Sequence, residues 1–308
     1  MNVRQLAGAG PQVLILVAAV SLAACEVNLN SEGIVSRETK TFKTSGVPDV
    51  QLDTFDGAIE VHSWDKGEVE VEIERRAMEQ SLVDEIKVSA EQDGDRIVIK
   101  VTGPARRGGF DGIQVGVHFS PSAKLRVAIP RKSQLMAKSG DGSITIEDVD
   151  GKITLNTNDG SVRANRLSGE IMVRSGDGSI RMERIEGKVD VETGDGSIAL
   201  EAKPTMLHAK TSDGSIRMRI EADSMMAEDW DVQTDDGTVV VTLPTSFNGE
   251  LDAETRDGSV RTNHPSLSAE ARPGEDRAER RRKLKATLGS GGPTLRVRSG
   301  DGTIRIEH

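Results

Sequence analysis

The stretch of sequence that organises the chain is residues 140–200, GDGSITIEDVDGKITLNTNDGSVRANRLSGEIMVRSGDGSIRMERIEGKVDVETGDGSIAL. From its start onward, the string Gly-Asp-Gly-Ser-Ile or a close variant occurs five times, at an interval of 18 residues. The copies are Gly140–Ile144, Asn158–Val162, Gly176–Ile180, Gly194–Ile198 and Ser212–Ile216. Later copies, after longer intervals, contain Asp236, Asp257 and Asp301, and an outlying copy far upstream contains Asp56. A fixed period of this kind predicts a repeat architecture in which each copy is one structural unit.

A half-period lies inside each repeat. Glycines recur every nine residues from Gly142 to Gly196, and an aliphatic residue follows two positions after each of them. The next apolar position comes two residues later, and the residues between are mostly polar. Alternation at period two, in runs of about five residues bounded by turn residues, predicts short half-buried strands.

Two architectures accommodate such strands. One is an antiparallel meander with tight Asp-Gly turns, and the other is a β-solenoid with two strands per 18-residue coil. Two turn chemistries alternate strictly, Asp-Gly-Ser at one corner and Gly-Lys or Gly-Glu at the other. Because equivalent corners stack in a solenoid, identical residues at 18 rather than 9 favour the solenoid. The predicted fold class is therefore all-β, a β-solenoid of the parallel β-helix type with a helical insertion near the C-terminus.

The composition agrees with a narrow aliphatic interior. Of 308 residues, 35% are hydrophobic and 32 are Gly, but there are only five Phe, two Trp and no Tyr. Small aliphatic side chains stacked in ladders at the strand spacing of about 4.8 Å would account for the missing aromatics. The net charge of −10 argues against nucleic-acid binding, which needs a dominant basic surface.

The repeats also carry a family resemblance. The GDGSI strings, their Gly-Lys-Ile/Val counterparts and the ending Gly289–Ile306 (GSGGPTLRVRSGDGTIRI) resemble the DUF4097 β-strand-repeat family. Its members are often labelled “putative adhesin” and grouped with toast-rack domains. The resemblance covers residues 42–308 and implies a right-handed β-helix at the cell envelope with a sensing or scaffolding role. It implies no catalytic residues, and the chain departs from the family pattern at Arg272–Lys285.

The N-terminal residues predict export and lipid attachment. Val13–Ala24 is apolar apart from Ser21, which is too short to span a bilayer but fits the apolar part of a signal peptide. The stretch ends in Leu-Ala-Ala-Cys25, which resembles a bacterial lipobox, whereas an ordinary secretory cut after Ala23 is the alternative. Because Cys25 is the only cysteine, a disulfide or thiolate metal site is excluded. Glu26 favours the outer membrane, since Asp at this place in similar lipoproteins favours inner-membrane retention.

The chain divides into four predicted parts. Residues 1–24 are the signal peptide, and residues 25–35 are a tether that holds the domain close to its membrane. Residues 36–130 form an irregular N-terminal β region of the same fold. Residues 131–308 form the repeat solenoid, interrupted by a helical insertion at 272–288 (RPGEDRAERRRKLKATL). Because the chain ends on a repeat strand, the insertion is expected to cover the last coil against edge pairing.

The stacked aspartates are the first candidate site. In a solenoid, Asp141, Asp159, Asp177, Asp195 and Asp213 form one column. Like charges about 5 Å apart repel by roughly 1 kcal/mol in water, so each carboxylate needs a partner. One reading is a hydrogen bond from backbone N–H groups in its own turn, and the other is Ca²⁺ bridging between turns. No other cofactor is expected.

A row of arginines is the second candidate site. Alternate strands place Arg163, Arg181 and Arg217 at one position, with Ala199 among them and Arg261 and Arg305 in later copies. With nearby glutamates they form a mixed ladder, which reads either as a solubilising face or as a surface for an anionic glycan or peptide.

Enzymatic chemistry has little support in the sequence. The histidines are scattered without metal-ligand spacing, and there is no nucleophile elbow or nucleotide fingerprint. Sugar-cleaving β-helices usually offer aromatic platforms, and only Trp64 and Trp230 are available. The sequence therefore predicts a non-enzymatic, lipid-anchored envelope protein that binds a partner protein or glycan, in the outer membrane facing the periplasm. A carbohydrate-active β-helix enzyme and a self-associating structural solenoid stay open as alternatives.

Overall fold

The computed structural model describes residues 27–30, 33–104, 120–267 and 281–308. In these ranges the chain forms twenty strands and one helix of six residues. The strands are β1 (Val27–Asn30), β2 (Gly33–Lys43), β3 (Asp49–Thr54), β4 (Ile59–Trp64), β5 (Glu68–Ala77), β6 (Lys87–Asp93), β7 (Arg96–Thr102), β8 (Ser122–Pro130), β9 (Gln134–Ser139), β10 (Ile144–Glu147), β11 (Asp150–Thr157), β12 (Val162–Ser175), β13 (Ile180–Thr193), β14 (Ile198–Thr211), β15 (Ile216–Ile220), β16 (Trp230–Asp236), β17 (Val239–Thr242), β18 (Gly249–Thr262), β19 (Lys283–Leu288) and β20 (Thr294–Glu307). The helix, α1, is Gln80–Glu85.

Each 18-residue repeat is one coil with two strand segments. Strands that follow an Asp-Gly turn form sheet I, and strands that precede an Asp-Gly turn form sheet II. Neighbouring coils pair in parallel in both sheets, so that Val162 lies opposite Ile180 in sheet I and Ile171 lies opposite Val189 in sheet II. The predicted solenoid with two short strands per coil is confirmed, and the antiparallel meander is wrong for the repeat region.

The coils do not stack in sequence order at the two ends. In sheet I the order is β2–β5–β8–β4–β10–β12–β13–β14–β15–β17–β20–β18. In sheet II it is β6–β7–β3–β9–β11–β12–β13–β14–β16–β20–β18–β19. The coil of β3 and β4 therefore sits between later strands, and the final coil, β20, is inserted before β18. The outlying copy at Asp56 thus belongs to the same stack as the regular repeats.

The interior is one continuous aliphatic core shared by both sheets. Ile144, Val162, Ile180 and Ile198 are consecutive register partners in sheet I and are each at most 1% exposed. Apolar positions along the strands alternate with exposed polar ones, as in the β13 segment around Val189 and Val191. The expected stacking of aliphatic residues in a dry interior is confirmed.

A column of buried hydroxyl groups runs beside the Asp-Gly turns. Every copy has Ser or Thr two residues before the aspartate, and all nine of these residues are buried. In stacking order they are Thr54, Ser139, Thr157, Ser175, Thr193, Thr211, Thr234, Ser299 and Thr255. Eight of the hydroxyls donate to the carbonyl oxygen of the turn glycine in the adjacent coil, at 2.9 to 3.1 Å. Because the hydroxyl also accepts from its own turn, as Thr211 does from the Gly214 N–H at 3.2 Å, each one joins two coils.

The turn glycine is required because the coils approach each other there. A Cβ built on Gly178 would collide with the carbonyl oxygen of Gly160, and one on Gly196 would collide with that of Gly178. At the opposite corner the reason is backbone conformation, since Gly169 and Gly187 have φ of +115° and +110°. Positive φ favours glycine because it lacks a Cβ. The two turn chemistries seen in the sequence thus answer two different steric demands.

The C-terminal insertion differs from its prediction. Arg281 and Arg282 are helical, but Lys283–Leu288 is β19, which pairs antiparallel with Gly249–Glu254 of β18. The prediction of a helix reaching Leu288 is therefore wrong, and residues 272–280 lie outside the described residues. The chain's last strand, β20, is paired on both sides. The edge that needs cover is β18, because β20 is inserted beside it, and β19 covers its first half.

The N-terminal end also extends further than expected. Val27–Asn30 already pairs with β2, which begins at Gly33. Much of the segment assigned to a tether at residues 25–35 is therefore strand. The N-terminal β region belongs to the same stack, because β4 pairs with β8 on one side and with β10 on the other.

We expect the hydroxyl column to be a main source of stability between coils. Replacing Thr211 with Val keeps the shape of the side chain but leaves the Gly196 carbonyl and the Gly214 N–H without their partner. An unsatisfied buried polar group costs about 1–3 kcal/mol, so urea unfolding of the T211V protein should show a loss of that size. Thr211→Ser should retain most of the stability. Thr154, which faces outward on β11, provides the matched control T154V, and equal stability of T211V and T154V would contradict the expectation.

Candidate functional site: the outer faces and the aspartate corner

The predicted aspartate column exists at one corner of the solenoid. The turns stack in the order of their glycines, so that Asp56 adjoins Asp141 and Asp301 lies between Asp236 and Asp257. The five regularly spaced members, Asp141, Asp159, Asp177, Asp195 and Asp213, are all exposed. Partial burial, and then repulsion from Asp141, raise the pKa of Asp56 above its ordinary value, although its carboxylate accepts the Gly57 N–H. The repulsion expected from the sequence is thus present at this end of the column.

Neither of the two expected partners is found for the regular aspartates. In the part of the chain that the structure describes, their carboxylates form no hydrogen bond or ion pair. Nor does the column bring three carboxylate oxygens within 4.8 Å of one another among the described residues. Exposure to solvent reduces the repulsion between neighbouring carboxylates. Calcium bridging stays a prediction.

The predicted arginine row lies on the outer surface of sheet I. Arg163 is the register partner of Arg181, and Ala199 separates Arg181 from Arg217. The row continues through Val240 to Arg305 and Arg261 at the far end of the sheet. Arg163, Arg181, Arg217, Arg305 and Arg261 are therefore called the arginine row. Adjacent members stand about 4.8 Å apart because that is the spacing between strands.

The charges of the arginine row are only partly compensated. Arg181 pairs with Glu183 two residues along its own strand, with Nε–Oε1 at 2.7 Å, and its side chain is still 68% exposed. Arg163, Arg217 and Arg305 have no hydrogen bond or ion pair with any described residue. Arg219, beyond Arg217 on β15, is likewise exposed and without a described partner. Sheet I therefore presents cationic groups free to contact a ligand on a protein whose overall charge is negative.

The largest concave feature among the described residues lies near the N-terminal end of sheet I. It is a cavity of about 340 Å³ lined by Glu74, Arg76, Lys124 and Arg126 together with small residues. Glu74 is its buried member, with a side chain 7% exposed, and it lies 2.9 Å from Arg37, 3.3 Å from Arg76 and 3.7 Å from Arg126. Although burial opposes the shift, these three cations hold the pKa of Glu74 below its ordinary value.

Neither tryptophan offers a free platform for a sugar ring. Trp230 is fully buried, packs against Phe247 with ring centroids 5.8 Å apart and donates from Nε1 to the Thr205 carbonyl oxygen at 3.4 Å. Trp64 donates to the Glu68 carbonyl oxygen at 2.8 Å, and the Lys66 ammonium lies 4.1 Å above its ring. The aromatic support expected for a sugar-cleaving cleft is therefore not provided by these two residues.

The membrane-related predictions rest on residues outside the described ranges. Cys25 and residues 1–24 are not among the described residues. Within those that are, no helix is long and apolar enough to cross a bilayer.

The stacked coils, the repeated turns and the pattern of the sequence together identify the family. The sequence profile of the DUF4097 family, described as Toastrack, matches residues 47–307. The chain belongs to the Toastrack family. The resemblance noted from the repeats is thereby confirmed, and the match includes the coil at Asp56 as well as the regular repeats.

Several solved structures are similar to this Toastrack chain. One, named as a putative adhesin from Bacteroides fragilis, is 12% identical with a TM-score of 0.42, covering 88% of this chain and 96% of that one. Another, named as a putative lipid binding protein from Parabacteroides distasonis, is 12% identical with a TM-score of 0.36 and the same coverage. A third, named as a putative cell adhesion protein from Clostridium sporogenes, is 11% identical with a TM-score of 0.26, covering 89% and 99%. Among curated proteins, none matches the chain in sequence.

Sequence reasoning missed two features of this Toastrack chain. The hydroxyl column has a clear signal, since Ser or Thr precedes every Asp-Gly pair by one intervening residue. The Glu74 cavity has none, because its cations come from β2, β5 and β8, which are paired antiparallel outside the regular repeat.

We expect Glu74 to stabilise the fold through its charge. Glu74→Gln keeps the size of the side chain but removes the charge that compensates Arg37, Arg76 and Arg126, so it should lower the free energy of unfolding at pH 7 by roughly 1–3 kcal/mol. Because the folded-state pKa is lowered, the contribution of Glu74 is complete above the unfolded value near 4.5 and is lost as the pH falls through the folded value. Urea unfolding at a series of pH values should show the E74Q deficit shrinking in acid. Glu91→Gln, on the exposed edge strand β6, is the control, and a deficit independent of pH would contradict this role.

Proposed function

We propose that this protein is a non-enzymatic, exported binding module, anchored by lipid at Cys25, whose arginine row binds an acidic glycan of the cell envelope. The observation that carries the proposal is the row itself, a line of exposed arginines held at strand spacing along sheet I. Family membership supports a repeat scaffold, and the row supplies the chemistry of recognition.

The geometry of the row suits an extended polymer with regularly placed carboxylates. The guanidinium groups repeat at about 4.8 Å, a spacing comparable to the advance of one sugar residue along an extended polysaccharide. Guanidinium groups bind carboxylates in a bidentate way. Several weak contacts along one chain add up, because each bound residue holds the next one close to its site.

A glycan fits this surface better than a peptide does. A peptide in extended form is normally captured by the free edge of a sheet, where backbone groups are available for pairing. The arginine row lies instead on the outer face of strands that are paired on both sides, as β13 is by β12 and β14. Only side chains are presented there, and acidic groups on a polymer are what arginines recognise.

The anchoring part of the proposal rests on the lipobox-like sequence before Cys25. The described fold begins at Val27, two residues after Cys25, and β1 pairs with β2 at the end of sheet I. Five strand steps separate β2 from β12, so Arg163 would lie about 25 Å along the stack from the anchored end. The rest of the arginine row extends further from the membrane. With Glu26 after the lipidated cysteine, we place the protein in the outer membrane, facing the periplasm.

We expect loss of the arginine row to abolish glycan binding. The probe is a fluorescent oligogalacturonate, a polymer with one carboxylate per sugar, and the measurement is fluorescence anisotropy at low salt. The triple variant of Arg163→Gln, Arg181→Gln and Arg217→Gln should bind at least tenfold more weakly than the parent protein. Added salt should weaken the parent more than the variant, because the variant forms fewer ion pairs.

The matched control changes the same amount of charge elsewhere. Arg96, Arg131 and Arg256 are exposed and lie outside the arginine row, so their replacement by Gln should leave affinity within about twofold, since exposed charges more than a Debye length away are largely screened. Equal losses in both triple variants, or equal binding of uncharged dextran, would refute the proposed surface. Preferential binding of a poly-glutamate peptide would refute the choice of a glycan.

We expect Cys25 to be the only membrane attachment. In the native host, Cys25→Ser should move the protein from the membrane fraction to the soluble periplasmic fraction, because acyl chains provide the attachment. The parent protein should resist extraction with high salt, which removes proteins held by charge. Glu26→Asp should shift it toward the inner membrane. A C25S protein that stays with the membranes would rule out lipid anchoring at this residue.

A further inference from the structure

A cluster of metal-ligand side chains lies on the outer face of sheet II, away from the arginine row. The ligand atoms of Asp190, Glu192 and His208 all lie within 4.8 Å of one another. All three side chains are half-buried. In the part of the chain that the structure describes, no other group of three His, Cys, Asp or Glu side chains meets this distance.

The solenoid register brings these residues together. Asp190 and Glu192 are two residues apart on β13 and so point to the same face. His208 on β14 is the direct register partner of Asp190, and Asp231 on β16 is the register partner of His208. The row Asp190–His208–Asp231 thus crosses three adjacent coils. Strands fix such a site more firmly than a loop would.

The distances suit a shared ion at His208 Nε2. This nitrogen lies 3.2 Å from Glu192 Oε1. Two ligands bound at 2.0–2.1 Å to one tetrahedral ion lie about 3.3 Å apart. The observed separation is therefore close to that of two ligands already arranged around zinc, and Asp190 provides a third within reach.

The other ring nitrogen of His208 faces a second carboxylate. His208 Nδ1 lies 3.6 Å from Asp231 Oδ2, so a shift of about half an ångström would make a hydrogen bond. A histidine that binds metal almost always donates its other N–H to a carboxylate, which fixes the ring and its tautomer. Asp231 cannot reach an ion at Nε2 through the ring, but it is placed to orient the ligand. This contact points to a metal site independently of the three-residue cluster.

Arg174 holds the two carboxylates of β13 in place from the other side. Its guanidinium contacts Asp190 in a bidentate way, at 3.0 and 2.8 Å, and its Nε lies 3.2 Å from Glu192 Oε2. The Glu192 oxygen nearest His208 is Oε1, which Arg174 does not contact. The guanidinium thereby orients the carboxylates and offsets part of their negative charge, while Oε1 and the second lone pairs of Asp190 stay available.

We propose that Asp190, Glu192 and His208 form a zinc site on sheet II, with Asp231 orienting the histidine. One nitrogen and two carboxylate oxygens are ligands that zinc accepts in a four-coordinate site. Calcium, by contrast, takes six to eight oxygens, which this cluster does not supply. The fourth position would be open to water or to a side chain of another molecule.

Isothermal titration of the metal-free, untagged protein with zinc chloride tests the site. We expect saturable binding of one zinc ion per chain, and addition of Co²⁺ should give the visible absorption of a four-coordinate complex. His208→Ala should abolish the saturable heat and the absorption. Asp231→Asn should weaken binding by about 10–100-fold, as loss of an orienting partner does.

The controls separate this site from the protein's other histidines. His62 is exposed on β4, and His308 lies beside His264 with ring centroids 6.0 Å apart. His62→Ala and His308→Ala should bind zinc like the parent protein. Glu192→Gln, which is nearly isosteric, should also lose binding and serves as the second variant if H208A unfolds. Absence of saturable heat at millimolar zinc, equal binding by H208A and the parent, or loss of binding in H308A would each overturn the proposal.

Discussion

The hydrogen bond between a buried Ser or Thr hydroxyl and the turn glycine of the adjacent coil is the constraint on which this fold depends. It occurs where two backbones approach so closely that only glycine fits, as at Gly160 and Gly178. A carbonyl oxygen enclosed there has no access to water and needs a donor. The hydroxyl of the next coil supplies that donor and also accepts the N–H of its own turn, as Thr157 does from Gly160 at 3.2 Å. Each coil is thus fixed to its neighbour at the corner, and the parallel ladders follow from that alignment.

Fixing the coils from the inside leaves the outer faces free to vary. The core and the hydroxyl column fully account for the inward positions, so outward positions need only be soluble. Their charges differ between the two faces: sheet I carries the arginine row, whereas sheet II carries ion pairs across coils such as Arg174 with Asp190 and Lys285 with Asp252, at 2.8 and 3.0 Å. Side chains on a flexible loop would lose rotamer freedom on binding a ligand, whereas these rows are already spaced by the strands. A solenoid face is therefore suited to recognising a repetitive ligand.

The repeat region was predictable because its period and its alternation describe the same structure. Ile144 and Val162 are 18 residues apart, follow the same turn and are register partners. The order of coils at the ends was not predictable, because a local pattern does not say which coil becomes the neighbour of which. Asp56 lies next to Asp141 although 85 residues separate them in sequence. The strand at Lys283–Leu288 was read as helix for a related reason: its charged composition suits a helix in isolation, and only the open edge of β18 makes it a strand.

The cluster at His208 shows how far the repeat arithmetic reaches when a coil is irregular. Between β13 and β14 the register first shortens, so that Gly187 lies opposite Pro204, and then lengthens, so that Lys188 lies opposite Met206. The extra residue is Thr205, whose carbonyl oxygen accepts hydrogen bonds from the Ala227 N–H at 3.0 Å and from Trp230 Nε1 at 3.4 Å. Because the two shifts cancel, Asp190 again faces the residue 18 positions later, His208. The bulge is a local departure that Trp230 stabilises from the core, and it preserves the alignment on which the proposed zinc ligands depend.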